Sequence, residues 1–207
     1  MKRTLPLLSA ALFAFCLGAH AQAPLTEWSS DSLNLRFSYP SDLAKGDPAS
    51  VVHDGNLTLP GVSDLSLTRC LRPDLLAQSA TATIVLAELD VTCLTLEQQA
   101  TPKDLLANLA EIVNKTGGMT SIAPPAWYNV GWQKVHMAAA QGTPDSTPQR
   151  LYTMGFSTGW NSHLLVWFFT STDIQTLNRI TKSTVRFGRS AAAPLYPSPI
   201  NDAGPKN

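Results

Sequence analysis

Residues 149–187 read QRLYTMGFSTGWNSHLLVWFFTSTDIQTLNRITKSTVRF, and the reading of this stretch decides the fold. Residues 164–169 within it are Leu-Leu-Val-Trp-Phe-Phe. A strand with one wet face alternates apolar and polar residues, whereas a strand covered on both faces does not. In an extended chain Leu164, Val166 and Phe168 point one way, and Leu165, Trp167 and Phe169 point the other. Burying each of these side chains is worth roughly 1.5–3 kcal/mol, too much for a marginally stable domain to forgo. The run is short, follows Gly159 and is rich in aromatics, which favours a strand over a buried helix. The stretch is therefore expected to run as a strand (150–157), a turn at Gly159-Trp160-Asn161, a central strand, a helix (173–183) and a short strand, Val185-Arg186-Phe187. The central strand should lie inside a sheet covered above and below.

Working outward, residues 1–21 have the form of a signal peptide. Lys2 and Arg3 open it, an apolar stretch follows, and Ala19-His20-Ala21 is a small-x-small cleavage site before Gln22. Cys16 follows Phe15, which is too large for a lipobox. The apolar core is too short to span a bilayer, and no other stretch approaches the length needed. Setting aside Lys2 and Arg3 leaves 13 basic against the 15 acidic residues, a net charge of about −2. No basic patch points to nucleic acid, and no block of like charge points to a tail. One domain is expected over 23–189, followed by a disordered Ala/Pro-rich tail over 190–207.

Residues 23–31 read as a lead-in anchored by Trp28. Residues 33–39 alternate cleanly until Pro40, which has no N–H to give a ladder. Asp54-Gly55 suggests a hairpin turn between Val51-Val52-His53 and residues 56–59. Residues 65–69 suggest a short strand, 73–80 a turn or short helix, and 81–92 a strand. Thr101-Pro102-Lys103-Asp104 opens a helix with an N-cap hydroxyl and a proline at its first position. Leu105, Leu106, Leu109, Ile112 and Val113 form its apolar stripe, and Gly117-Gly118 ends it. Pro124-Pro125 leads into residues 127–140, a long strand whose apolar parity shifts near Gln133-Lys134 and suggests a bulge. The class is α+β, a mainly antiparallel sheet flanked by helices.

This order of elements resembles the Mog1/PsbP-like α/β/α sandwich, a group that includes periplasmic DcrB-like proteins. The resemblance rests on Phe37-Ser38-Tyr39-Pro40, the helix over 101–116, Gly131-Trp132-Gln133-Lys134, the hairpin over 151–169 and the close at Ser183-Thr184-Val185-Arg186-Phe187. It spans residues 33–187; the segment 47–92 matches no part of it. It implies a layered fold and a binding or assembly role, with no shared chemistry and no site residue to carry over.

Cys70 and Cys93 remain after cleavage, and two thiols in an exported domain suggest one disulfide. Separate thiols are the alternative. Gly155-Phe156-Ser157-Thr158-Gly159 matches G-x-S-x-G, but in hydrolases that serine sits between a strand and a helix, with an acid and then a histidine after it. Here a second strand follows, and no histidine follows His163. His53, His136 and His163 lack metal-ligand spacing. Glu88 and Asp90, two apart on a strand, share a face, as a solvated strand end or a carboxylate pair. Trp167 belongs to the core. Trp160, in a turn, either anchors a partner or ligand or folds back over the sheet.

No catalytic set, metal site or cofactor is assigned. The expected function is an exported, non-enzymatic binding or assembly module of the cell envelope, acting on a protein or envelope component. The alternatives are a small hydrolase built from Ser157, His163 and Asp173, and a carrier of hydrophobic ligands. The carrier needs a cavity of about 300 Å³ between sheet and helix.

Overall fold

The computed structural model describes residues 24–62, 65–99, 101–196 and 198–200. The expected signal peptide (1–21) with Cys16, the expected cleavage point before Gln22 and residues 201–207 of the tail lie outside the described residues. The chain begins with β1 (Leu25–Ser30), β2 (Leu35–Pro40), β3 (Ala44–Gly46), β4 (Val52–His53) and β5 (Asn56–Leu57). It continues through α1 (Leu65–Thr68), β6 (Leu71–Gln78), β7 (Ala82–Leu89), α2 (Leu96–Gln99) and α3 (Pro102–Lys115). Next come β8 (Met119–Val130), β9 (Gln133–Gly142), β10 (Leu151–Trp160) and β11 (His163–Ser171). It closes with α4 (Ile174–Ile180), β12 (Thr184–Phe187) and β13 (Ala193–Pro194).

A seven-stranded antiparallel sheet, ordered β3-β6-β7-β11-β10-β9-β8, is the middle layer, with β11 at its centre. Leu165, Trp167 and Phe169 point into one core and Val166 and Phe168 into the other, and all five are buried. The unbroken apolar run thus has the physical cause expected of it: both faces of β11 are dry. The fold is α+β, with helices on both faces of a mainly antiparallel sheet. On one face lie α3, the β4-β5 hairpin and α1. On the other, α4 shares its layer with a second sheet, β1-β2-β12-β13. Phe37 and Phe187, on β2 and β12, pack against Trp167 with ring centroids 6.4 Å away in each case.

Several local readings are corrected. Residues 65–69 begin as the helical turn α1, because four residues are too few to display either period. Of the stretch 73–80, residues 73–78 belong to strand β6, where a bulge between Pro73 and Leu75 absorbs the proline. Residues 127–140 are two strands: the parity shift marks a hairpin turn at Gly131-Trp132, with Gly131 at φ 62°. Pro124 and Pro125 lie within β8, at the sheet edge, where a missing N–H is tolerated. The turn after β10 is Asn161-Ser162, both at positive φ, while Gly159 and Trp160 remain in the strand. Thr101 precedes α3 without a side-chain capping bond. The lead-in expected over 23–31 is strand β1 at residues 25–30, with Trp28 packed against the core.

The Ala/Pro-rich stretch is also corrected at its described residues, 190–196 and 198–200. Leu195 and Ile200 are buried, and Leu195 N donates to Ser183 O at 2.8 Å. The Tyr128 hydroxyl donates to Leu195 O at 2.5 Å. Burial and the neighbouring Tyr196 hydroxyl raise the Tyr128 pKa well above that of a free phenol. Proline-rich composition hid two apolar anchors that close the first core.

Candidate functional site

The G-x-S-x-G pattern is a seat for a helix. Gly155, Ser157 and Gly159 alternate on the face of β10 that meets α3. The Ser157 hydroxyl is buried and donates to the main-chain oxygen of Leu106 at 2.5 Å. A Cβ at Gly155 would lie 2.2 Å from the Ala110 carbonyl oxygen. Leu106 and Ala110 are one helical turn apart, about 6 Å along the axis, and two strand residues cover about 6.7 Å. The two spacings match, so α3 sits directly on a strip with little side chain in the way. No described nucleophile arrangement forms around Ser157. His163 lies on the opposite sheet face, three ladder pairs away, and Asp173 caps α4 by accepting from Thr176 N at 2.7 Å. That bond lowers the Asp173 pKa.

His163 Nδ1 meets Glu88 Oε1 at 2.5 Å across the β7-β11 pair. Asp74, at the β6 bulge, joins them electrostatically. Desolvation by its neighbours, then the Glu88 carboxylate, raise its pKa against the opposing pull of His163. Asp90 does not share this face. It leaves the strand, caps a 3-10 turn by accepting from Thr92 N at 3.0 Å, and pairs with Arg72 at 3.6 Å. His136 lies under α3, 3.7 Å from Glu111 and against the Trp127 ring. Burial holds its pKa below the ordinary value, partly opposed by Glu111. His53 is exposed on β4. Among the described residues no group of three or more His, Cys, Asp and Glu is placed to hold a metal ion. Two cavities of the carrier's size, about 310 and 300 Å³, open at the surface beside charged residues.

Cys70 and Cys93 form a disulfide, with Cα atoms 5.5 Å apart. It closes the open end of the β6-β7 hairpin, just beyond the Leu71-Leu89 pair, where Asp90 N also donates to Cys70 O.

The aromatic side chains at this same end of the sheet make the most distinctive surface. Trp160 is folded back: its indole N–H donates to Leu33 O at 2.7 Å, and its ring packs on Phe187 at 5.2 Å. Trp132 sits outside it, 63% exposed at the tip of the β8-β9 turn, its ring 5.3 Å from that of Trp160. Gln133 braces the turn by donating to Gly159 O at 2.8 Å and to the Thr158 hydroxyl at 2.7 Å. The sequence reading missed Trp132 because it placed this residue inside a continuous strand. The glycine before it was the available signal, since a hairpin turn needs positive φ.

Comparisons with known proteins come to rest on fold. No protein-family model matches the chain. No curated protein sequence matches it either. Among solved structures, it is similar to the cyanobacterial PsbP (CyanoP) of Synechocystis sp. PCC 6803. The identity is 14%, over 84% of this chain and 98% of that one, with a TM-score of 0.45. It is also similar to a Pseudomonas aeruginosa protein of unknown function described as a putative regulator. There the identity is 11%, over 71% of this chain and 82% of that one, with a TM-score of 0.34. LpqN of Mycobacterium tuberculosis, described as involved in cell envelope biogenesis, is similar at 11% identity. The match covers 78% of this chain and 90% of that one, with a TM-score of 0.35.

Proposed function

We propose that this chain is an exported, non-enzymatic binding module of the cell envelope. Its partner is a protein or envelope component that docks on the Trp132–Trp160 surface. The observation that carries the reading is Trp132, a large apolar ring held in water by a braced turn and backed by a fixed second indole. Leaving that ring exposed forgoes burial free energy, and such rings serve as interface anchors. The serine that matches a nucleophile pattern is meanwhile sealed beneath α3. The leader-like residues 1–21 and the Cys70–Cys93 disulfide support export. No described helix is long and apolar enough to cross a membrane.

The test is recovery of partners from the periplasm with the native chain and with Trp132→Ala. A specific partner should be lost with the variant, by about 30-fold in affinity if the ring contributes about 2 kcal/mol. The variant's circular dichroism and unfolding midpoint should be unchanged. A partner retained equally by the variant contradicts the placement of the surface. Turnover of an ester or amide substrate by the purified protein contradicts the non-enzymatic reading.

A further inference from the structure

A cleft of about 310 Å³ opens on the outer side of the four-stranded sheet, beyond Trp160, and its chemistry is unlike that of the aromatic surface. Ser29, Arg36 and Arg186 form one row across β1, β2 and β12, with Arg36 directly opposite Arg186 in the ladder. Like charges directly opposite one another in a sheet oppose pairing. Arg189 adds a third guanidinium from the following turn, and Asp31 is the acidic residue in the lining. Arg36 gives one N–H to Glu27 at 3.2 Å. The Arg186 and Arg189 side chains make no hydrogen bond or ion pair among the described residues.

The rim is fixed by main-chain geometry. Gly188 N donates to Asn34 O at 2.9 Å, joining the turn after β1 to the turn after β12. Both residues have positive φ, 48° at Asn34 and 59° at Gly188. The cleft therefore brings together guanidinium forks, the Ser29 hydroxyl and the Asn34 amide on two tied loops. Guanidinium forks match the oxygen geometry of phosphate.

We propose that this cleft binds a phosphate monoester dianion, held between Arg36 and Arg186. The dianion relieves the repulsion between the two opposed guanidiniums and takes up donors that the fold leaves unused. This goes beyond the binding-module reading and stands without it, because Trp132 takes no part.

Titration of the purified protein with glycerol phosphate, at constant ionic strength set with chloride, tests the proposal. Binding should saturate with a dissociation constant below about 1 mM and raise the melting temperature. Arg186→Gln should weaken binding at least tenfold, yet leave the ligand-free protein as stable as the native chain or more so. Trp132→Ala should bind the ester normally. Vesicles of phosphatidylcholine with and without phosphatidic acid separate the two sources of the anion. Saturable binding of glycerol phosphate assigns a soluble ester, and binding confined to phosphatidic acid vesicles and lost with Arg186→Gln assigns a lipid headgroup. Binding of neither, or binding unchanged in Arg186→Gln, overturns the proposal. A Trp132→Ala chain that loses its partner but keeps the anion contradicts nothing here, so the two readings fail separately.

Discussion

Replacing Gly155 by alanine probes the contact between α3 and the sheet most sharply. The added Cβ would lie 2.2 Å from the Ala110 carbonyl oxygen, about 1.2 Å short of the 3.4 Å where ordinary contact begins. The obstructing atom is main chain, so no side-chain tip can swing away. The helix must lift, loosening Leu109, Ile112 and Val113, all buried beneath it. Overpacking of this kind costs about 1–3 kcal/mol, and a backbone obstruction places Gly155→Ala near the top of that range. Gly159→Ala is the control. Its added Cβ would meet Leu164 at 3.7 Å and Leu106 at 3.9 Å, which is ordinary contact. Neither glycine has positive φ, so backbone strain enters neither comparison. Urea unfolding without reductant reads the difference. With a slope of about 1–3 kcal/mol per molar urea, Gly155→Ala should lower the midpoint by about 1 M or more, and Gly159→Ala should leave it unchanged or slightly higher. Equal midpoints for the two variants would refute the helix seat.

Truncation after Ser190 removes Leu195 and Ile200, both buried, and should cost roughly 3–6 kcal/mol. A melting temperature within about 2 °C of the native value would contradict the packing of that stretch. Reduction of Cys70–Cys93 should lower stability by about 3 kcal/mol; two free thiols in protein denatured without reductant would contradict the bond itself. His136 has a folded pKa below its ordinary value near 6.5, because burial outweighs Glu111. Protonation therefore favours the unfolded chain: this contribution to stability is full above the unfolded pKa and is lost as pH falls through the folded one. His136→Gln should flatten that part of the stability curve between about pH 8 and pH 5. A curve parallel to that of the native protein would contradict the assignment.

Much of the fold was legible where a physical pattern had only one solution. Residues 164–169 carry large apolar groups at both parities, and a strand buried on both faces is the arrangement that uses them all. Asp54-Gly55 and the apolar stripe of α3 were legible for similar reasons, each being a local rule that tertiary structure did not override. The errors fall where two structures share one local signal. A parity shift marks either a bulge or a hairpin, and the choice at Gly131-Trp132 depended on whether the second half paired with the first. Pro73, Pro124 and Pro125 looked like strand breakers because edge position and bulges, which make them tolerable, are properties of the finished sheet. The candidate surfaces were the least legible part. Trp160 drew attention as a turn aromatic, yet it is the support, and the exposed ring is Trp132, nearly thirty residues earlier in the chain. The opposition of Arg36 and Arg186 exists only once β2 and β12 are registered.

The central claim is that Ser157 is a packing residue seated under α3. Labelling the folded protein with a fluorophosphonate, followed by peptide mapping, tests it directly. The Ser157 hydroxyl, committed to Leu106 O under α3, should remain unmodified at concentrations that saturate a serine hydrolase. Stoichiometric modification of Ser157 in the native state, abolished by Ser157→Ala, would contradict it.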